Sequence, residues 1–91
     1  MKYEVRFTTQ LKSDLKLAKK QNKDLERLFA VVENLANDVP LDAKYRDHAL
    51  TGNYISYREC HVEPDWLLVY KKSADILVLL LYRVGRHSNL F

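Results

Sequence analysis

The sequence predicts an α+β fold, with an N-terminal strand, a helical hairpin and a three-stranded antiparallel segment completing a small sheet. Three observations predict it. Hydrophobic residues alternate with period two at the start of the chain. Two successive stretches then repeat at helical spacing. Three strand-like runs separated by turn residues follow in the second half. A helical hairpin packed on a sheet is the arrangement that buries such a set of faces.

Tyr3, Val5 and Phe7 alternate with Glu4 and Arg6, which predicts a strand with one buried face. Thr8 and Thr9 follow as candidate N-caps. Leu11, Leu15 and Ala18 then share a helical stripe, with Lys12, Lys16, Lys19 and Lys20 among them. Gln21 and Asn22 mark a break. A second helix presents Leu25, Leu28, Phe29, Val32, Leu35 and Ala36 on one stripe. Asp24 in its first turn complements the helix dipole, and the run from Asn37 to Pro40 ends it.

Leu41 to Asn53 reads as an irregular connection, with Gly52 and Asn53 as a turn signal. Three strands are expected after it: Tyr54 to Cys60, Trp66 to Lys72 and Ile76 to Arg83. Glu63-Pro64-Asp65 separates the first two, and Lys72 to Asp75 is the expected hairpin turn between the last two. Ile76 to Tyr82 is apolar on both faces and is expected to be a central strand.

The 91 residues suit one domain, 1–91, and 47% of them are hydrophobic, which excludes a disordered chain. Lys and Arg number 15 against 12 Asp and Glu. That mild excess permits RNA or an acidic protein as partner without demanding either. No apolar run is long enough to span a bilayer, so no membrane role is expected. The start, Met1-Lys2-Tyr3-Glu4, lacks a signal-peptide pattern, and the lone Cys60 suits a reducing cytoplasm.

All three histidines, His48, His61 and His87, lie in the second half, with Asp47, Asp65, Arg58, Arg83 and Arg86. This set suits RNA cleavage. A base takes the proton of a ribose 2′-OH, a cation stabilises the phosphate, and an acid protonates the leaving 5′-oxygen. Histidine suits both proton roles because its ordinary pKa is about 6.5. Arginine matches phosphate oxygens with a fork of donors. DNA lacks the 2′-OH, so the mechanism selects RNA. A zinc site is the rival use of His61 and Asp65. Pro64 between them breaks helix-face spacing, and no paired cysteines exist, so no metal site is expected.

Three ordered blocks then carry a resemblance: Asp47-His48-x-Leu50-x-Gly52; Arg58-x-x-His61-x-x-Pro64-Asp65-x-Leu67-Leu68-x-Tyr70; and Arg83-x-Gly85-x-His87-x-x-Leu90-Phe91. Together they resemble the YafQ branch of the RelE toxin superfamily, and the layout of the first half agrees with it. The resemblance implies a toxin of a bacterial type II toxin–antitoxin pair. Such a toxin cuts mRNA in the ribosomal A site, without a metal or cofactor, and is held by a cognate antitoxin. It implies His87 as general acid and Asp65 or His61 as base. Arg83 would hold the scissile phosphate, His48 would orient or support the charge, and Phe91 would stack on a base. Which of His61, Asp65 and His48 takes the first proton stays open. Arg58 and Arg86 are further candidates for substrate binding. Lys12, Lys16, Lys19, Lys20, Lys23 and Arg27 offer a basic surface to the antitoxin or to ribosomal RNA. The alternatives are a gyrase-poisoning toxin of ParE type, which lacks this histidine set, and an inactive antitoxin-binding module.

Overall fold

In the computed structural model, which covers Met1–Phe91, the first alternating stretch is strand β1, Glu4–Phe7. Tyr3 and Val5 turn into the core, while Phe7 stays 40% exposed. Thr8 starts helix α1, Thr9–Lys20: its hydroxyl oxygen accepts from the Leu11 amide at 2.9 Å and donates to the Tyr82 carbonyl at 2.7 Å. One residue thus caps the helix and ties it to the sheet. Asp24 caps helix α2, Leu25–Ala36, by accepting from the Arg27 amide.

Both helices end by the same device. Asn22 and Asp38 adopt left-handed backbone, φ 56° and 61°. The Lys23 amide then bonds back to the Ala18 carbonyl, and Val39 to Asn34. These are six-to-one closures that satisfy orphan carbonyls. The second helix is therefore over at Ala36, well before Pro40. Its buried stripe is Leu28, Val31, Val32, Leu35 and Ala36; Phe29, expected on the stripe, is 45% exposed. Asp38 also joins Lys2 and Lys72, at 2.9 and 2.6 Å. The Lys72 and Lys2 ammonium groups hold its carboxyl down to about 2, so this tie is lost only as pH falls through that value.

The rest of the chain completes a five-stranded sheet. A 3₁₀ turn, Ala43–Tyr45, leads into β2, His48–Ala49, and a second, Gly52–Tyr54, into β3, Arg58–Glu63. Strands β4, Trp66–Ser73, and β5, Val78–Gly85, follow, then a single helical turn α3, His87–Leu90. The order is β1-β5-β4-β3-β2, with β1 parallel to β5 and the other pairs antiparallel. Helix α1 packs over β5, and α2 reaches β3. No helix is long and apolar enough to cross a membrane.

Four further expectations change. The connection before β3 contains a real strand: His48 and Ala49 pair with Glu59 and Arg58. Strand β3 starts at Arg58 instead of Tyr54, because the Tyr54, Ile55 and Tyr57 amides bond locally to Thr51, Gly52 and Tyr54 carbonyls. The strand buried on both faces is β4, whose residues Trp66 to Tyr70 are all buried. The run from Ile76 does not enter the sheet at once: Ile76 is 64% exposed and Leu77 sits at φ 52° in the turn at 74–77.

A branched side chain at that φ costs about 1–2 kcal/mol. The turn needs it, since the Leu77 carbonyl accepts from the Glu4 amide at 2.8 Å. Leu77→Gly keeps the bond and removes the clash. It is expected to stabilise by about 0.5–1 kcal/mol, a rise of a few degrees in thermal midpoint by circular dichroism. A fall would show that the Leu77 side chain contributes packing greater than the strain.

Candidate active site

Side chains alternate across a strand, so β3 sends Cys60 and Val62 toward the helices and Glu59 and His61 to the opposite, outer face. His48 stands opposite Glu59 in the β2–β3 register and joins them there. Glu59 is the one buried charged residue of the chain, 4% exposed. Its Oε1 lies 3.6 Å from His48 Nε2 and 3.7 Å from His61 Nε2, between two rings whose centroids are 6.4 Å apart. The other ring nitrogens are committed. His48 Nδ1 meets the Arg46 carbonyl at 2.7 Å and His61 Nδ1 the Pro64 carbonyl at 3.1 Å. A carbonyl only accepts, so each Nδ1 carries the proton and each Nε2 is turned toward Glu59.

The outer face has its own small core. Leu67, Val69 and Leu90 are buried together, with Leu50, Tyr57 and Tyr82 against them. Leu90 seats α3 on the sheet at Gly85, where an added Cβ would lie 3.2 Å from Leu90 Cδ2. That seat brings His87 and Phe91 to the cleft. Phe91 is half exposed and meets Tyr54 edge-on at 5.2 Å and His87 at 5.2 Å. A bulge helps: the β4–β5 register slips opposite Val69 and Tyr70, leaving Tyr82 as the extra residue. Without it, strict alternation would turn Arg83 into the helix-side core and Val84 out. The result is a cleft of about 200 Å³ lined by His48, Leu50, Thr51, Tyr54, Glu59, His87 and Phe91.

The expected site residues divide. His48, His87 and Phe91 share the cleft, and His61 joins through Glu59. Asp65 and Arg86 meet each other at 2.9 Å, both well exposed. Arg83 does not line the cleft: Asp14 holds its guanidinium with bonds of 2.8 and 3.2 Å and also accepts from the Val84 amide. The Asp14 carboxylate raises the Arg83 pKa, so its charge is fixed and already balanced. Arg58 is on the other face of the sheet, 3.3 Å from Asp47, which Tyr70 also binds at 2.6 Å. Strand parity explains this, since Arg58 and Glu59 are neighbours on one strand and must point apart.

Sequence reasoning passed over Glu59 and Tyr54. The signal for Glu59 was there, two residues before His61 and therefore on the same strand face. Tyr54 had none, because its position depends on a local turn. Trp66 and Tyr70 are core residues, as expected. Burial pushes the Cys60 thiol up to about 12, which leaves it a small hydrophobe without thiolate chemistry.

The family model described as "Bacterial toxin of type II toxin-antitoxin system, YafQ" matches residues 3–91. The mRNA interferase toxin YafQ of Escherichia coli K12 is 40% identical over 89 residues, 97% of this chain and 95% of that protein. Among solved structures, the E. coli DinJ–YafQ toxin–antitoxin complex contains a chain that superposes with a TM-score of 0.89 at 39% identity, covering 100% of this chain and 99% of that one. A metal-bound toxin from Helicobacter pylori superposes with a TM-score of 0.93 at 43% identity, covering 98% and 99%. In the present chain no group of three or more His, Cys, Asp or Glu side chains is arranged to hold a metal ion.

A Cβ added at Gly85 would meet Leu90 more tightly than ordinary packing allows. Gly85→Ala is expected to lift Leu90 and destabilise the fold by about 1–3 kcal/mol in urea denaturation. No loss would mean that α3 is not seated through this contact.

Proposed function

Because the chain belongs to the YafQ family of toxins from bacterial type II toxin–antitoxin systems, we propose that its outer-face cleft is where messenger RNA is cut. The chain is the toxin of such a pair and an endoribonuclease, an mRNA interferase. Its partner is a cognate antitoxin, in the role DinJ has in the E. coli complex.

One observation carries the assignment of the cleft: two histidines and an exposed aromatic ring line the same small cavity. An acid and a base that act on one phosphate must both reach it. His48 takes the 2′-OH proton through Nε2, the nitrogen not held by the Arg46 carbonyl. Glu59, with Oε1 3.6 Å from that same nitrogen, favours the cation that forms, and His61 lies on the other side of Glu59. His87 protonates the leaving 5′-oxygen. Phe91, supported edge-on by Tyr54, stacks on a base and fixes the strand. Arg86, the residue before His87 and paired with Asp65 outside the cleft, supplies charge to the phosphate, while Arg83 braces α1 against β5. The ribosomal A site is the proposed place of cleavage and the cytoplasm the compartment. The three ordered sequence blocks support this, as does the basic face of α1, where Lys12, Lys16, Lys19 and Lys20 form no ion pair.

The test is to map mRNA 5′ ends after induction, with wild type and His87→Ala side by side. Wild type is expected to produce new ends within translated messages. His87→Ala should lower their yield by about 100-fold or more, the contribution of a positioned acid. Full cleavage by His87→Ala would sink the acid assignment, and intact messages with damaged DNA would point to a ParE-type action. Glu59→Gln keeps the shape and removes the charge. Its cleavage rate is expected to drop about tenfold, the equivalent of about 1.4 kcal/mol. An unchanged rate would leave Glu59 a structural residue only.

A further inference from the structure

A second cavity, of about 240 Å³, is lined by His61, whose Nε2 lies 3.7 Å from Oε1 of Glu59 in the cleft. Arg27 from α2, Lys44 and Arg46 from the turn before β2, and His61, Glu63 and Pro64 from the end of β3 line it. Nothing in the mechanism above uses it. Its positive charges lack the carboxylate partners that most cations of the strands and of the site have. Arg58, Lys72, Arg83 and Arg86 each have a carboxylate within 4.0 Å. Arg27, Lys44 and Arg46 have none. Glu63 is the single carboxylate in the cavity, so positive charge remains in excess.

These cations are also held in place. Tyr45 lies under two of them, with its ring centroid 5.6 Å from Arg27 Cζ and 5.2 Å from Lys44 Nζ. Arg27 Nε is buried without a hydrogen-bond partner, as is Glu63 Oε1. Buried polar atoms are normally satisfied, and a protein that leaves such a donor open beside convergent positive charge has prepared a place for an acceptor. Arg46 adds a mechanical link. It sits in left-handed backbone at φ 48°, and its carbonyl is the one that fixes His48. The segment that orients the histidine of the cleft therefore also presents a cation to this cavity.

We infer that this cavity is an RNA phosphate subsite for the strand being cut, one or two nucleotides from the scissile bond, with Arg27, Lys44 and Arg46 as its cations. The inference rests on the reading of the cleft as the place of cleavage. His61 in this cavity lies 3.7 Å from Glu59 in the cleft, and that link assigns the phosphate to the same strand. Phosphate contacts of this kind position a strand without reading its sequence.

The experiment measures binding, which does not depend on cutting. A short 2′-O-methyl RNA, which lacks the attacking hydroxyl, is titrated with the purified toxin by fluorescence anisotropy over a range of salt. Arg27→Gln, Lys44→Gln and Arg46→Gln are each expected to weaken binding about three- to tenfold at low salt. Each should also take close to one unit off the slope of log affinity against log salt, roughly 0.7 for a single strand. Arg6→Gln, on β1 at the opposite edge of the sheet and paired with Glu4, should change affinity less than about twofold. Neutral methylphosphonate links placed one at a time along the RNA then locate the contact. One position should weaken wild type as much as Arg27→Gln does and add nothing further in that variant. Failure of the toxin to bind this RNA at low salt, unchanged slopes in the three variants, or no link coupled to Arg27 would each overturn the subsite. Cleavage of a translated message is scored in parallel. If the variants lose RNA affinity as expected while wild type cuts nothing, the reading of the cleft fails and the phosphate subsite stands.

Discussion

The structure depends on β4 being buried on both of its faces. One face meets the helices through Trp66, Leu68 and Tyr70; the other meets Leu90 through Leu67 and Val69. A strand in the middle of a five-stranded sheet has no solvent side, so its neighbours inherit a choice of two interiors. The larger interior makes the fold. The smaller one, only three buried residues, shapes the candidate site, because Leu90 in it seats α3. At about 1.5–3 kcal/mol for a fully buried leucine, Leu90 is enough to dock one helical turn and not much more.

The candidate site residues gather on this lightly held side for a physical reason. The helix-side core is apolar and closely filled, and a buried charge there would need pairing. The outer face is covered only in part, which lets Glu59 sit 4% exposed and still face a cleft. Its two imidazole neighbours arrive by two kinds of regularity: His61 by the two-residue repeat of β3, and His48 by antiparallel register. Backbone carbonyls of Arg46 and Pro64 then set the ring orientations, so the pair is held by main chain as well as by its shared carboxylate. On the other face the Asp47–Arg58–Tyr70 group does structural work, and burial together with Asp47 raises the Tyr70 pKa far from any catalytic range.

Period and turn chemistry made the helices, β1 and the existence of the later strands legible from sequence. The exceptions are instructive. The apolar run from Ile76 read as a strand start, but Leu77 takes a left-handed φ that hydrophobicity does not encode. Strand β2 is two residues long, too short for any pattern to show. For the site, the ordered blocks marked His48, His61, Asp65, His87 and Phe91 as a set. They did not show that Arg58 and Glu59 face opposite ways, nor that Arg83 is already held by Asp14, sixty-nine residues earlier in the chain. Contacts at that separation leave no local trace in sequence.

The two interiors are separable, and the small one holds the candidate site. The most direct measurement is nuclear Overhauser contacts in wild type and Leu90→Ala. The contacts of the Phe91 ring with Tyr54 and His87 are expected to disappear in the variant, while those among Leu11, Leu28 and Leu79 on the helix side remain. Survival of the Phe91 contacts, or loss of both sets together, would contradict it.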